Sequence, residues 1–276
     1  MKKHLIRLLA AATSLMLAAC FQQETTITLE KDGSGTLVEE TRIGAQMLGM
    51  VNQFGGGLGD EDQAAQDPLK DLMSEEKAKD RAKRLGEGVE FVKIEPVSVG
   101  AFKGARATYR FQNINDLRIS TEDAMNQIGS AAPSVIDDID ADADDAVTFN
   151  FKDGVLKIQM GQPEEEEAAT ETRVPEVPQG IDQSAMMEMM KPMMADMKVS
   201  IRLVAAPGIA ETDATYHDGD SITLMELDMN QLMKDPANFK KFSSIDQNKP
   251  NAGIDALKGI DGVKAESQPE VSVKLR

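Results

Sequence analysis

Short segments of alternating polar and apolar residues, joined by Asp-Gly turns, set the strongest limit on how this chain can fold. Ile27 and Leu29 lie on one side of a segment at 25–30, and a second alternating segment at 36–43 follows Asp-Gly at 32–33. Asp-Gly readily adopts the positive φ angles of a tight hairpin turn. The same arrangement recurs at 147–160 around Asp-Gly at 153–154. The pattern predicts antiparallel hairpins with one buried face.

Further strand and helix signals extend this pattern along the chain. Additional strands are predicted at 89–94, 105–111, 199–203, 212–216, 222–227 and 270–276. Helices are predicted at 68–85 and 181–198, with shorter ones at 123–129 and 229–233. Because hairpins separated by helices show no regular strand-helix-strand alternation, the fold class indicated is α+β. We expect an antiparallel sheet built from hairpins and covered on one face by helices.

The first twenty residues have the features of an export signal. Lys2, Lys3 and Arg7 precede an apolar run at 8–19, which ends at the chain's one cysteine, Cys20. A basic start, a short apolar middle and small residues at the cut are typical of a secretory signal peptide. The sequence Leu-Ala-Ala-Cys is similar to the lipobox of bacterial lipoproteins, in which the cysteine thiol receives a diacylglyceryl group. We therefore expect a signal peptide at 1–19 and palmitate-type acylation at Cys20.

An ordinary cleaved signal with a free thiol is the alternative for this segment. The small residues that flank the cut favour lipoprotein processing instead. Several acyl chains on Cys20 would hold the protein firmly, since one chain alone gives only marginal membrane binding. Phe21, rather than Asp, follows the cysteine, which favours the periplasmic face of the outer membrane over the inner membrane. The expected partner is therefore the membrane, through lipidated Cys20.

The acidic charge argues against nucleic acid as a partner. The formal net charge is −17, and removal of residues 1–19 takes it to about −20, because they hold three basic residues and no acid. Phosphate backbones repel such a chain unless a local basic patch compensates. With Cys20 acylated, no thiol remains for a disulfide. We expect one domain at 20–276 that depends on a packed core, with acidic, flexible insertions at about 55–67, 136–146 and 163–180.

A run rich in methionine allows two interpretations. Residues 186–197 contain seven methionines. Met186, Met190, Met193 and Met197 have helical spacing and would form a buried stripe against the sheet, which is the favoured interpretation. Met186, Met189 and Met193 could instead bind Cu(I) or Ag(I) through their thioethers, since these ions prefer sulfur ligands.

Motifs of catalysis do not occur in the sequence. His217 is the one histidine after the signal segment, and it falls in a predicted turn. No nucleophile elbow, phosphate-binding glycine loop or zinc-protease motif is present. We expect a non-enzymatic protein without a cofactor.

The hairpin that follows Cys20, with Lys-Asp-Gly-Ser-Gly at 31–35, resembles the opening of the mycobacterial LppM-like lipoproteins. The likeness extends loosely to the strands after Gly88 and to residues 197–232, where Pro-Gly-Ile at 207–209 and Thr-Asp-Ala at 212–214 are similar to a second recurring element. The resemblance implies a compact α+β domain and a lipid-binding role, and it implies no catalytic or binding residue. A transmembrane helix, thought to be present in the mycobacterial proteins, is not expected here. The function expected is binding of a protein partner or an apolar ligand at the cell envelope.

Overall fold

The computed structural model describes residues 21–45, 47–49, 68–120, 146–161, 196–243 and 258–276. These residues form an α+β architecture in which strands dominate. The strands are β1 (Phe21–Leu29), β2 (Gly35–Gly44), β3 (Glu90–Val99), β4 (Phe102–Phe111), β5 (Arg118–Ser120), β6 (Ala146–Lys152), β7 (Val155–Gln159), β8 (Lys198–Ala205), β9 (Ile209–Thr212), β10 (His217–Asp218), β11 (Ser221–Asp228), β12 (Val263–Ala265) and β13 (Glu270–Leu275). The helices are α1 (Pro68–Leu72), α2 (Glu75–Leu85), α3 (Met229–Leu232) and α4 (Pro236–Ser243), with a 3-10 turn at Ile114–Asp116.

An eight-stranded sheet forms the larger layer of the fold. Its strand order is β10-β11-β8-β1-β2-β4-β3, and β12 pairs with β11. β1 lies near the centre, antiparallel to β2 and parallel to β8. The prediction of a wholly antiparallel sheet is therefore wrong at β1 and β8. Local turn signals specify hairpins, but they contain no information on a pairing between segments this far apart in the chain.

A second, five-stranded sheet has the order β5-β6-β7-β13-β9. Apolar residues of both sheets belong to one hydrophobic cluster, which includes Leu37 and Leu203 of the large sheet and Leu156 and Val273 of the small one. Helix α2 adds its own apolar residues to the same cluster. The described residues therefore do not show the predicted arrangement, in which helices cover one face of the sheet.

Turns and helix caps agree with the local chemistry of the sequence. The β1–β2 and β6–β7 hairpins form at the two Asp-Gly turns. At the first turn, the Asp32 carboxylate accepts hydrogen bonds from the amide and the hydroxyl of Ser34. Asn113 and Asp228 accept hydrogen bonds from backbone amides one turn ahead, as N-cap residues do. The hairpins predicted at the two Asp-Gly turns are confirmed.

Several predicted element bounds are wrong. The helix predicted at 68–85 is two helices: α1 ends at Leu72, and Ser74 accepts a hydrogen bond from the Lys77 amide as the N-cap of α2. The strand predicted at 212–216 is β9, which ends at Thr212. Ala146 begins β6, so the predicted insertion at 136–146 does not include it.

Other predicted segments lie outside the described residues. These are the insertions at 55–67 and 163–180, the rest of the insertion at 136–146, the helix at 123–129 and most of the helix at 181–198. Lys198, at the end of that predicted helix, begins strand β8.

Two smaller apolar clusters lie beyond the main core. The first, which we call the Phe21 cluster, contains Phe21, Ile43 and Met47, with Leu48 and Leu72 packed against it. The second contains six buried residues, Leu227, Met229, Leu232, Phe239, Ile260 and Val263. Among the described residues, no helix is both long and apolar enough to cross a bilayer.

Candidate binding site

The inner face of β1 and β2 changes from apolar to polar and back to apolar along the strands. Four polar residues of this face, Gln23, Thr25, Glu39 and Thr41, form what we call the polar band. Gln23 pairs with Thr41, and Thr25 pairs with Glu39. The main core continues on one side of the band and the Phe21 cluster lies on the other. Because burial of polar groups costs free energy unless they find partners, a polar band between two apolar clusters requires an explanation.

An ion pair from helix α2 satisfies one end of the band. The Arg81 guanidinium donates to a Glu39 carboxylate oxygen through Nη2 at 2.9 Å and Nε at 3.2 Å. The two side chains are only 13% and 12% exposed. The described α2 residues that face the interior are otherwise small or apolar, namely Ala78, Ala82 and Leu85. Arg81 therefore joins the helix to the sheet at the polar band.

Tyr109 of β4 lies on the other side of the same carboxylate. Its side chain is buried near the Glu39 carboxylate. Burial, together with the Glu39 charge, raises the pKa of Tyr109 above its usual value. The tyrosine ring also packs edge-on against Phe91, with ring centroids 6.2 Å apart. The phenol is thus held in its neutral form.

Gln23 at the other end of the band is not satisfied in this way. Gln23 is 3% exposed, and among the described residues its side-chain oxygen Oε1 has no hydrogen-bond partner. Buried side-chain oxygens nearly always accept a hydrogen bond from protein or water. Ala105 and Ala107 of β4 lie in the same cross-strand rows as Thr41 and Glu39. Short side chains therefore flank the band next to an acceptor that lacks a donor.

The outer face of the large sheet carries a separate network of ion pairs. Arg42 contacts Glu24 at 2.9 Å and Glu40 at 2.6 Å, and its Nη1 donates to Gln22 Oε1. Arg106 adds a second cation to the Glu40 carboxylate. These cross-strand pairs match opposite charges over three neighbouring strands, which stabilises the sheet and leaves no carboxylate of this set without a cation.

Geometry for catalysis or metal binding is not evident among the described residues. His217 lies exposed in the two-residue strand β10, with Nδ1 3.2 Å from the Ala214 carbonyl oxygen. The described parts of the chain contain no group of three or more His, Cys, Asp or Glu side chains placed to hold a metal ion. What the polar band can do chemically is accept and orient a hydrogen-bonding group.

The site residues predicted from sequence lie outside the described residues. These are Cys20 for lipidation and Met186, Met189 and Met193 for Cu(I). Met197, the one member of the predicted methionine stripe that is described, packs partly buried against the second small cluster. Lipidation at Cys20 and Cu(I) binding by the three methionines therefore both stay predictions from the sequence.

The polar band was not predicted from the sequence. The predicted strand starts at residue 25, whereas β1 begins at Phe21, so Gln23 was not assigned to any face. The available signal was the alternation from Phe21 to Leu29, in which every second residue is buried. Glutamine and threonine at buried positions of that alternation are unusual enough to mark a site.

Comparisons with known proteins add little to the geometry. No protein-family model and no curated protein matches the chain. A search of solved structures finds similarity to the NMR structure of the folded domain of LppM from Mycobacterium tuberculosis. That match has a TM-score of 0.30 and 10% sequence identity, and it covers 94% of this chain and 91% of the other.

Proposed function

We propose that the mature protein is a lipid-anchored lipoprotein on the periplasmic face of the outer membrane, whose domain at 20–276 binds an apolar ligand without catalysis. The basic and apolar leader followed by Leu-Ala-Ala-Cys supports the anchor. The polar band supports binding. The observation that carries the binding proposal is the buried Gln23 oxygen, which lies between two apolar clusters and has no donor in the described parts of the chain.

The chemistry of the band indicates what a ligand must offer. An apolar body would contact the residues of the Phe21 cluster and the main core on either side. One hydroxyl or amide N–H would donate to Gln23 Oε1 and remove the cost of leaving that oxygen unpaired, which is about 1–3 kcal/mol for a buried group. Glu39 is already bound by Arg81, so its carboxylate would contribute negative charge beside the ligand and would not be its main hydrogen-bond acceptor.

Extraction of bound molecules tests the ligand proposal. The lipidated protein would be purified in parallel as wild type, Gln23→Leu and the control Gln159→Leu, which makes the same change at an exposed site on β7. Organic extraction and mass spectrometry should find a species that wild type and Gln159→Leu retain and that Gln23→Leu loses. An extract without any such species, together with unchanged thermal stability in mixed lipids, would refute ligand binding. A protein that crosslinks to wild type and not to Gln23→Leu would show that the band binds a partner protein instead.

The anchor has its own test. Cells fed a fatty-acid probe should label the wild-type chain in the outer membrane fraction. Cys20→Ser should lose the label and move to the soluble periplasmic fraction. An unlabelled wild-type chain in solution would refute the lipoprotein proposal.

The alternative of periplasmic Cu(I) or Ag(I) binding makes a different prediction. A variant in which Met186, Met189 and Met193 are replaced by Leu should bind Cu(I) as weakly as wild type if these side chains are core residues. A large loss of Cu(I) affinity in this variant would favour the metal site.

A further inference from the structure

The tip of the β3–β4 hairpin lies at the same end of the large sheet as the first residue of β1. We define the hairpin tip as residues 97–103. In the pairing of β1, β2 and β4, Phe21 lies opposite Ile43, and Ile43 lies opposite Lys103. The turn beyond Lys103 is tied to the chain after β2, because the Ala45 amide donates to the Ala101 carbonyl at 3.1 Å. The tip therefore projects past the row in which Phe21 lies.

The surface chemistry of the hairpin tip differs from that of the chain as a whole. Val99 is 53% exposed, and among the described residues it is one of two large apolar side chains with such exposure. No acidic residue occurs between Pro96 and Ala105, whereas the whole chain has a net charge of −17. Lys103 is exposed at the tip. An apolar protrusion with one cation and no acid suits the interface of a bilayer, where apolar side chains enter and cations contact phosphates.

The chain between the proposed anchor and the sheet is too short to let the anchor lie far from the hairpin tip. Phe21 is already paired in β1 and directly follows Cys20, and consecutive Cα atoms are about 3.8 Å apart. Two strand spacings of about 4.8 Å separate the Phe21 and Lys103 positions across the sheet. Acyl chains on Cys20 would therefore hold the tip within roughly 15 Å of the anchor point, close enough for the tip to reach the surface of the same bilayer.

We propose that the hairpin tip rests in the headgroup region of the membrane that holds Cys20, with Val99 inserted at the interface. This inference rests on the lipid anchor of the proposed function. It sets the orientation of the domain, because the β3–β4 tip and the anchor give two separate points of contact with one bilayer. The β1–β2 turn at 30–34 then lies at the far end of the sheet, directed away from the membrane.

Lipid-quenching fluorescence tests this orientation on the lipidated protein. Since Cys20 is the chain's one cysteine and the anchor occupies it, Val99→Cys offers a unique thiol for an environment-sensitive dye. Val92→Cys is the matched control, because it is the same residue type on the same strand, 49% exposed, and roughly 20 Å away along β3. Ala101→Cys gives a second tip position. The proteins would be reconstituted in vesicles of phosphatidylethanolamine and phosphatidylglycerol that contain lipids with a spin label near the headgroup.

The expected result is strong quenching and a blue-shifted emission at positions 99 and 101, with little of either at position 92. Equal quenching at all three positions, or none at 99 and 101, would overturn the inference. The intact mass of each protein and its flotation with vesicles are measured first. A chain without acyl groups would refute the proposed anchor together with the orientation, whereas an acylated chain with an unquenched tip would refute the orientation alone.

Discussion

The carboxylate of Glu266 accepts hydrogen bonds from both the amide and the hydroxyl of Thr215, at 2.7 and 2.8 Å. It also accepts from the amides of Ser267 and Gln268. Glu266 is 3% exposed. One buried side chain therefore joins the loop before β10 to the loop between β12 and β13.

Replacement of Glu266 should lower the free energy of unfolding more than replacement of an exposed acidic residue does. Glu266→Ala removes the buried acceptor of four part-buried hydrogen bonds, and we expect the free energy of unfolding to fall by about 3 kcal/mol. Urea unfolding followed by circular dichroism measures it. Glu270→Ala is the control, because its ion pair with Lys157 is exposed and such pairs contribute about 0–1 kcal/mol. Equal losses in the two variants would contradict the role assigned to Glu266.

The Glu39–Arg81 pair should show energetic coupling. Arg81→Met leaves the Glu39 carboxylate largely buried beside Tyr109, so we expect a loss of about 2 kcal/mol. The double variant Arg81→Met, Glu39→Met should lose less than the sum of the single changes, since it removes both charges. Lys79→Met tests an exposed pair on the same helix, with Glu75, and should change stability by less than about 0.5 kcal/mol. Additive effects at Glu39 and Arg81 would show that the pair does not hold α2 to the sheet.

Tyr109 should make the folded state sensitive to alkaline pH. Its pKa is raised in the folded protein by burial and by the Glu39 charge, whereas the unfolded chain ionises near its ordinary pKa of about 10. The stabilisation is therefore complete below that pH. Above it, the unfolded state loses its proton first, and stability falls by about 1.4 kcal/mol per pH unit until the folded pKa is reached.

The Tyr109 prediction is checked by urea unfolding at several pH values between 9 and 11. Tyr109→Phe removes the titrating group, so its stability should fall less steeply with pH than that of wild type. Parallel slopes for the two proteins would contradict the assignment to Tyr109.

The features of this fold that the sequence predicts are those that depend on residues close together in the chain. The Asp-Gly hairpins were predicted because each depends on residues within one turn. The parallel pairing of β1 with β8 could not be predicted, since it joins segments far apart in the chain. The hydrogen bond from Gln22 to Asp196, close to the start of this pairing, spans 174 positions. The split into two sheets is determined by packing, which alternation within each strand does not describe.

The candidate site shows the same limit. Glu39 and Arg81 meet from β2 and α2, 42 positions apart. Each looks in the sequence like an ordinary charged residue on a solvated face. Only the packing of α2 against the sheet reveals that the pair is nearly buried.

Gly104 should be intolerant of even the smallest side chain. A Cβ at this position would lie 1.8 Å from the Thr41 carbonyl oxygen and 2.8 Å from the Arg42 Cα, because β2 and β4 approach closely there. These are backbone atoms, so the clash can be relieved only by moving one strand away from the other. Gly104→Ala should therefore lower the free energy of unfolding by about 2–3 kcal/mol.

Gly49→Ala is the matched control for this glycine. A Cβ there meets no atom within 4 Å. Residue 49 has a helical backbone, and alanine in such a position is favoured over glycine by about 0.5–1 kcal/mol. We expect Gly49→Ala to unfold at the same urea concentration as wild type or a slightly higher one. Since the displaced strands also position the hairpin tip, Gly104→Ala should further reduce the lipid quenching of a label at position 99. If Gly104→Ala is as stable as Gly49→Ala, β2 and β4 do not approach this closely at Gly104. The strand register that places Lys103 in the same row as Phe21 would then also be contradicted.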